Sequence, residues 1–119
     1  MLIIINIFAV NITFVNNKLE AFANNDRVGL KKLGAKRFKY YKKRLDQLRA
    51  SKTLEDVRFL PGRFHELTGD RKGQWSCDLD QPYRLIFRPQ ENPIPIDCDG
   101  KYIWVHILGI EIIEIVDYH

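Results

Sequence analysis

The side chains with most chemical reach in this 119-residue chain are three histidines (His65, His106, His119), two cysteines (Cys77, Cys98) and a dense set of basic residues. The histidines and cysteines do not fall at zinc-binding intervals. Asp97, Cys98, Asp99 and Gly100 form a fragment of calcium-loop chemistry, but the glycine comes too early for an EF-hand. No glycine-rich phosphate cradle is present. The sequence therefore predicts neither a metal nor a cofactor. What remains are basic residues beside turn signals and strands. Arg63 and His65 follow Pro61 and Gly62, Arg71 and Lys72 sit on a predicted turn, and Arg84 lies on an apolar strand. Asp117, Tyr118 and His119 close the sequence.

Charge is distributed unevenly. The formal net charge is +4. Residues 17–75 alone carry +9, and residues 76–119 carry −5. Between Lys31 and Arg49 there are nine basic residues and one acid, Asp46. Such a field attracts a polyanion, for which nucleic acid is the usual case. A lysine-rich helix face that is merely solvated gives the same pattern.

These residues need elements to position them. Hydrophobic residues make up 45% and charged residues 29%, which suits one globular domain spanning 1–119. Residues 1–10 are apolar but too few to span a bilayer, which needs roughly 20. No positive residue precedes them, so secretion is not expected. Residues 1–11 read as a possible extension, and two unpaired cysteines fit a reducing cytoplasm. Asn11–Asn16 alternates like a strand. A short helix over 18–22 and a long basic helix to about Ala50 follow. Leu30, Leu33, Phe38, Tyr41, Leu45 and Leu48 form the long helix's apolar stripe, with a five-residue gap near Gly34. Thr53–Val57 reads as a further turn of helix or a loop. After Pro61 and Gly62 the period falls to two, which predicts strands at 63–67, 74–79 and 83–88. Cys77 is expected in the core. Pro89–Lys101 reads as a mobile loop carrying Cys98. Tyr102–Val116 reads as one long strand, with Gly109 as a bulge signal. The class is α+β.

From about Ile12 onward the chain resembles the HigB/RelE-type toxins of bacterial toxin–antitoxin systems, in particular the HigB-like plasmid-maintenance killer proteins. Three stretches carry the resemblance. The first is Gly34, Ala35, Lys36 and Arg37 leading to Arg44–Leu48. The second is Leu60–Gly73 followed by Tyr83–Phe87. The third is Ile113–His119. The resemblance implies a RelE-like fold, with two N-terminal helices packed on a curved antiparallel sheet. It implies a metal-independent endoribonuclease that cuts mRNA on the bacterial ribosome. It further implies a HigA-type helix-turn-helix antitoxin as partner, and no membrane.

The resemblance also assigns roles. Arg84 would hold the scissile phosphate, for which a guanidinium fork suits better than an ammonium. The residues alone also allow a strand arginine paired with a neighbouring carboxylate. His65 would be the general base or the partner of a stacked nucleobase. Tyr118 would stack on a base or supply an acid, His119 would act as acid or base, and Asp117 would orient a neighbour. Lys32, Lys36, Arg37, Lys39, Lys43 and Arg44 would meet ribosomal RNA phosphates. From their place beside predicted turns, Arg63, Arg71 and Lys72 would bind the mRNA backbone or ribosomal RNA, with plain solvated turn residues as the other reading. The chain departs from many relatives at Thr68, where they carry lysine, and at Tyr83, where they carry tryptophan. Two other functions fit the residues: a basic protein that binds RNA or the ribosome without cutting, and an inactive relative that binds only its antitoxin.

Overall fold

A computed structural model describes residues 10–117. The expected extension thus lies almost wholly outside the described residues, as do Tyr118 and His119.

The order of elements is β1 (Asn11–Phe14), α1 (Asn17–Asn24), α2 (Asp26–Leu33), α3 (Ala35–Ala50), α4 (Leu54–Val57), β2 (His65–Glu66), β3 (Trp75–Asp78), β4 (Tyr83–Pro89) and β5 (Gly109–Asp117). The α+β class is as expected, but the helical layer differs from two N-terminal helices. Asparagines start the first two helices. Asn16 Oδ1 accepts from Leu19 N at 2.9 Å, and Asn25 Oδ1 from Val28 N at 3.3 Å. This satisfies amide protons that the helix itself leaves without acceptors. The long basic helix is then broken at the gap in its apolar stripe. Gly34 sits at φ +82, ψ 161, a conformation reserved almost wholly for glycine, and it separates α2 from α3. Leu30, on the α2 side of the break, is exposed.

Helix α3 buries Phe38, Tyr41, Leu45 and Leu48, the i, i+3, i+7, i+10 face of one helix. Tyr41 donates its hydroxyl proton to Leu19 O at 2.8 Å, which ties α3 to α1. Burial raises the Tyr41 phenol well above its ordinary value.

The five strands form one sheet in the order β1-β5-β4-β3-β2. Strands β2 to β5 pair antiparallel, whereas β1 runs parallel to β5 with Asn11 opposite Gly109. The sheet is therefore mixed, not antiparallel throughout. The cause is the connection: β1 leaves through the helical layer, and its partner β5 arrives only after the β2–β4 meander. One face, including Trp75, Cys77, Leu85, Phe87, Ile110 and Ile112, belongs to the core with Tyr41, Leu45 and Leu48 of α3. Trp75 stacks on Phe87 at 6.4 Å and meets Trp104 edge-on at 5.4 Å. The other face carries Ser76, Asp78, Arg84, Ile86 and Glu114, set by the period-two register. Ile86 is fully buried yet lies outside the main core cluster, as expected for the opposite face.

Three local readings are revised. The strand expected over 102–116 begins only at Gly109. A 3-10 turn at Trp104–His106 precedes it and buries Trp104, whose indole donates to Glu66 Oε2 at 3.0 Å. The bulge falls at Ile113, because Ile86 faces Glu114 while Phe87 faces Ile112. The strand expected over 63–67 is reduced to His65 and Glu66. Cys77 is buried and Cys98 exposed, as the sequence suggests.

Candidate active site

The site starts at the loop between α4 and β2. Gly62 has φ +115, and Arg63 at φ +55 is the one non-glycine residue with positive φ among the described residues. Strain of this kind persists only when the surroundings hold it. Arg44 is what holds it. Its Nε donates to Asp78 O at 2.7 Å, and its Nη1 donates to Gln47 Oε1 at 2.9 Å and to Pro61 O at 3.4 Å. Gln47 donates to the same Pro61 O at 2.8 Å. Asp78 N, in turn, donates to Gly62 O at 2.8 Å. One side chain from α3 thereby fastens the loop to the end of β3. The expectation of an RNA-facing Arg44 is corrected: it is only 6% exposed, and its Nε and Nη1 donate inside the protein.

The fastened loop presents Arg63 and His65. Arg63 Nη1 lies 3.7 Å from Asp78 Oδ2, and Arg84 Nε lies 3.7 Å from Asp78 Oδ1. Two guanidinium groups from separate elements thus share one carboxylate. Arg84 is the strand arginine of the sequence reading, and Asp78 is the neighbouring carboxylate that this reading left open. The His65 ring has Nδ1 at 2.7 Å from Arg63 O. A carbonyl oxygen only accepts, so Nδ1 carries the proton and Nε2 keeps its lone pair in the neutral ring. His65 pairs with Ser76, and Asp78 with Arg84. From strand rise and strand spacing, His65 and Arg84 are roughly 12 Å apart at their Cα atoms. Val116 pairs with Arg84 and Asp117 with Tyr83, so the end of β5 reaches this corner of the sheet.

The remaining residues divide. Arg71 reaches the same face, with Nη1 2.6 Å from Glu114 Oε1 and 2.9 Å from Gln74 Oε1. Lys72 is exposed and sits 5.6 Å above the Tyr102 ring. Lys32, Lys36, Lys39 and Lys43 are exposed on α2 and α3. Those helices pack against the core face, and their lysines form a basic surface on the helical layer. Arg37 does not act with them as a free cation. It donates to both oxygens of Asp80 at 3.0 and 3.2 Å and lies 3.3 Å from the Tyr83 ring centroid. The same contact covers one face of the Tyr83 ring.

Asp78 is the residue that sequence reasoning missed. Its signal was visible: Ser76 and Asp78 alternate with Trp75 and Cys77, which places two polar side chains on the face opposite the core. Among the described residues, no three His, Cys, Asp or Glu side chains gather as a metal-ligating group. No described helix is long and apolar enough to cross a membrane.

An α+β domain with a helical layer on a mixed five-stranded sheet is consistent with a RelE-like fold. Residues 12–99 match the family described as the RelE-like toxin of type II toxin-antitoxin system HigB, and the chain belongs to this family of HigB-like toxins. Membership implies an antitoxin partner. A comparison with curated proteins finds no match.

Proposed function

We propose that this toxin is a ribosome-dependent, metal-independent endoribonuclease that cuts mRNA in the cytoplasm and is neutralised by a HigA-type antitoxin. The observation that carries the reading is the sharing of Asp78 by Arg63 and Arg84, with the His65 ring held to the Arg63 carbonyl beside them.

Strand scission without a metal requires a base, charge stabilisation and an acid. The ribose 2′-hydroxyl attacks the adjacent phosphorus. His65 Nε2, left as acceptor by the Nδ1 contact, takes the hydroxyl proton. Arg84 and Arg63 stabilise the phosphorane charge as the new P–O bond forms. The bond to the 5′-oxygen breaks, and Tyr118 or His119 returns a proton to it, with Asp117 orienting that donor. The products are a 2′,3′-cyclic phosphate and a 5′-hydroxyl. The need for a 2′-hydroxyl spares DNA. Lys32, Lys36, Lys39 and Lys43 supply sequence-blind contacts to ribosomal RNA phosphates.

The test is translation of a defined mRNA in a bacterial cell-free system, with primer extension on the transcript. Wild type is compared with Arg84→Ala and with a chain truncated after Val116. New codon-positioned 5′ ends with wild type alone are expected. Stalled translation on intact mRNA would replace the nuclease with a binding protein, and absence of any effect would leave only antitoxin binding.

A further inference from the structure

A cavity of about 610 Å³ lies on the Arg84 face, beyond the corner that holds Arg63 and His65. Its walls include Lys72, Gln74, Arg88, Glu91, Asn92 and Glu111. Arg88 is four residues along β4 from Arg84, an even separation that keeps both on one face, roughly 13 Å apart. Arg71 joins the two regions, because its Nη1 contacts both Glu114 and Gln74. The volume falls within the range of small-ligand sites.

The chemistry of the walls is specific. Arg88 is already paired with Glu111 Oε1 at 2.9 and 2.7 Å. No ion pair holds Lys72 among the described residues, so its ammonium is available to a phosphate. Glu91 Oε2 is a buried oxygen that accepts no hydrogen bond among the described residues. An unmet carboxylate oxygen calls for a donor. Glu91 itself lines the cavity and brings a carboxylate acceptor to its wall. Adenine, cytosine and guanine each present an exocyclic amino group that a carboxylate accepts from. Uracil presents one N–H between two carbonyl oxygens, which a carboxylate repels.

We infer that this cavity is a nucleobase subsite for single-stranded RNA beside the cut. Glu91 selects an amino-bearing base and rejects uracil, and Lys72 holds the phosphate. The inference rests on the RNA-cleaving reading for its biological substrate, but its test does not need cleavage.

The test is an NMR titration of the full chain with AMP, CMP, GMP and UMP at millimolar concentration, following the side-chain amides of Gln74 and Asn92. Shifts are expected with AMP, CMP and GMP, and affinity for UMP is expected to be about ten-fold weaker. Glu91→Gln should abolish the discrimination, because an amide can donate to a uracil carbonyl. Lys72→Ala should weaken all four nucleotides alike. Equal binding of the four, or no shift at Gln74 and Asn92, would overturn the subsite. So would unchanged discrimination in a folded Glu91→Gln protein. A chain that discriminates among nucleotides but cuts no mRNA would keep the subsite and remove the nuclease. A chain that cuts mRNA with a silent titration would do the reverse.

Discussion

A Cβ added to Gly62 would fall 2.6 Å from Arg44 Cζ. The glycine and the arginine are therefore fitted to each other, and the loop bearing Arg63 and His65 depends on both. Gly62→Ala meets this clash at φ +115, where an L side chain is already strained. A loss of about 1–3 kcal/mol is expected for the backbone strain alone. Urea unfolding measures it. Gly34→Ala is the comparison, since nothing lies within 4 Å of its added Cβ and only the backbone term applies.

Arg44 is the second prediction. Arg44→Ala leaves the carbonyls of Asp78 and Pro61 without their charged donor. Hydrogen bonds to a charged group are worth about 1.5–3 kcal/mol each, so a loss of at least about 2 kcal/mol is expected. A purely RNA-contacting arginine would show the opposite outcome: unchanged unfolding midpoint and weakened ribosome binding.

Asp78→Asn removes the anion shared by Arg63 and Arg84 without altering the backbone bonds at residue 78. If Asp78 aligns the two guanidinium groups for one phosphate, the cleavage rate falls about ten-fold, equivalent to about 1.4 kcal/mol of transition-state stabilisation. Binding of uncut RNA should change less. A rate that rises instead would mean that Asp78 only screens the arginines.

Lys36, Lys39 and Lys43 face solvent on α3. Replacing all three with glutamine should leave stability unchanged. The salt dependence of ribosome binding should flatten by about one unit of slope for each phosphate that a lysine no longer neutralises. Sedimentation with ribosomes across a potassium chloride series measures this. A slope equal to wild type would leave these lysines as solvated surface.

Cys77 and Cys98 should differ sharply toward a thiol reagent. Cys77 is fully buried, and burial pushes its thiol well above the ordinary range, so it holds little thiolate at neutral pH. Cys98 is exposed. The native chain should therefore titrate one fast thiol, and the second should appear only on unfolding.

Much of the fold was readable where periodicity was clean. The α3 face of Tyr41, Leu45 and Leu48 and the strands β3 and β4 follow from spacing alone. The break at Gly34 left a trace, the gap in the apolar stripe, but a gap does not state the backbone angle that makes two helices of one. The start of β5 was not readable from local preference. Residues 102–108 are as β-prone as those after them, and what turns them is tertiary: Trp104 packing on Trp75 and donating to Glu66. The direction of β1 was hidden for the same reason, since pairing is not a local property. In the site, residue type located Arg84 and His65 but could not separate working cations from bracing ones. Arg37 and Arg44 look like their lysine neighbours in sequence. Only the structure places their acceptors, Asp80 on one side and the Asp78 and Pro61 carbonyls on the other.

The parallel pairing of β1 with β5 bears on how the chain acquires activity during synthesis. Asn11 waits for Gly109, and Arg84 for Val116. Strand β5 lies between β1 and β4, yet it leaves the ribosome after both. Contacts so distant in sequence carry a large closure entropy and form slowly. A nascent chain therefore exposes the helical layer and the β2–β4 meander well before the sheet is complete. The interval delays assembly of the candidate site on the very machine the toxin is proposed to attack.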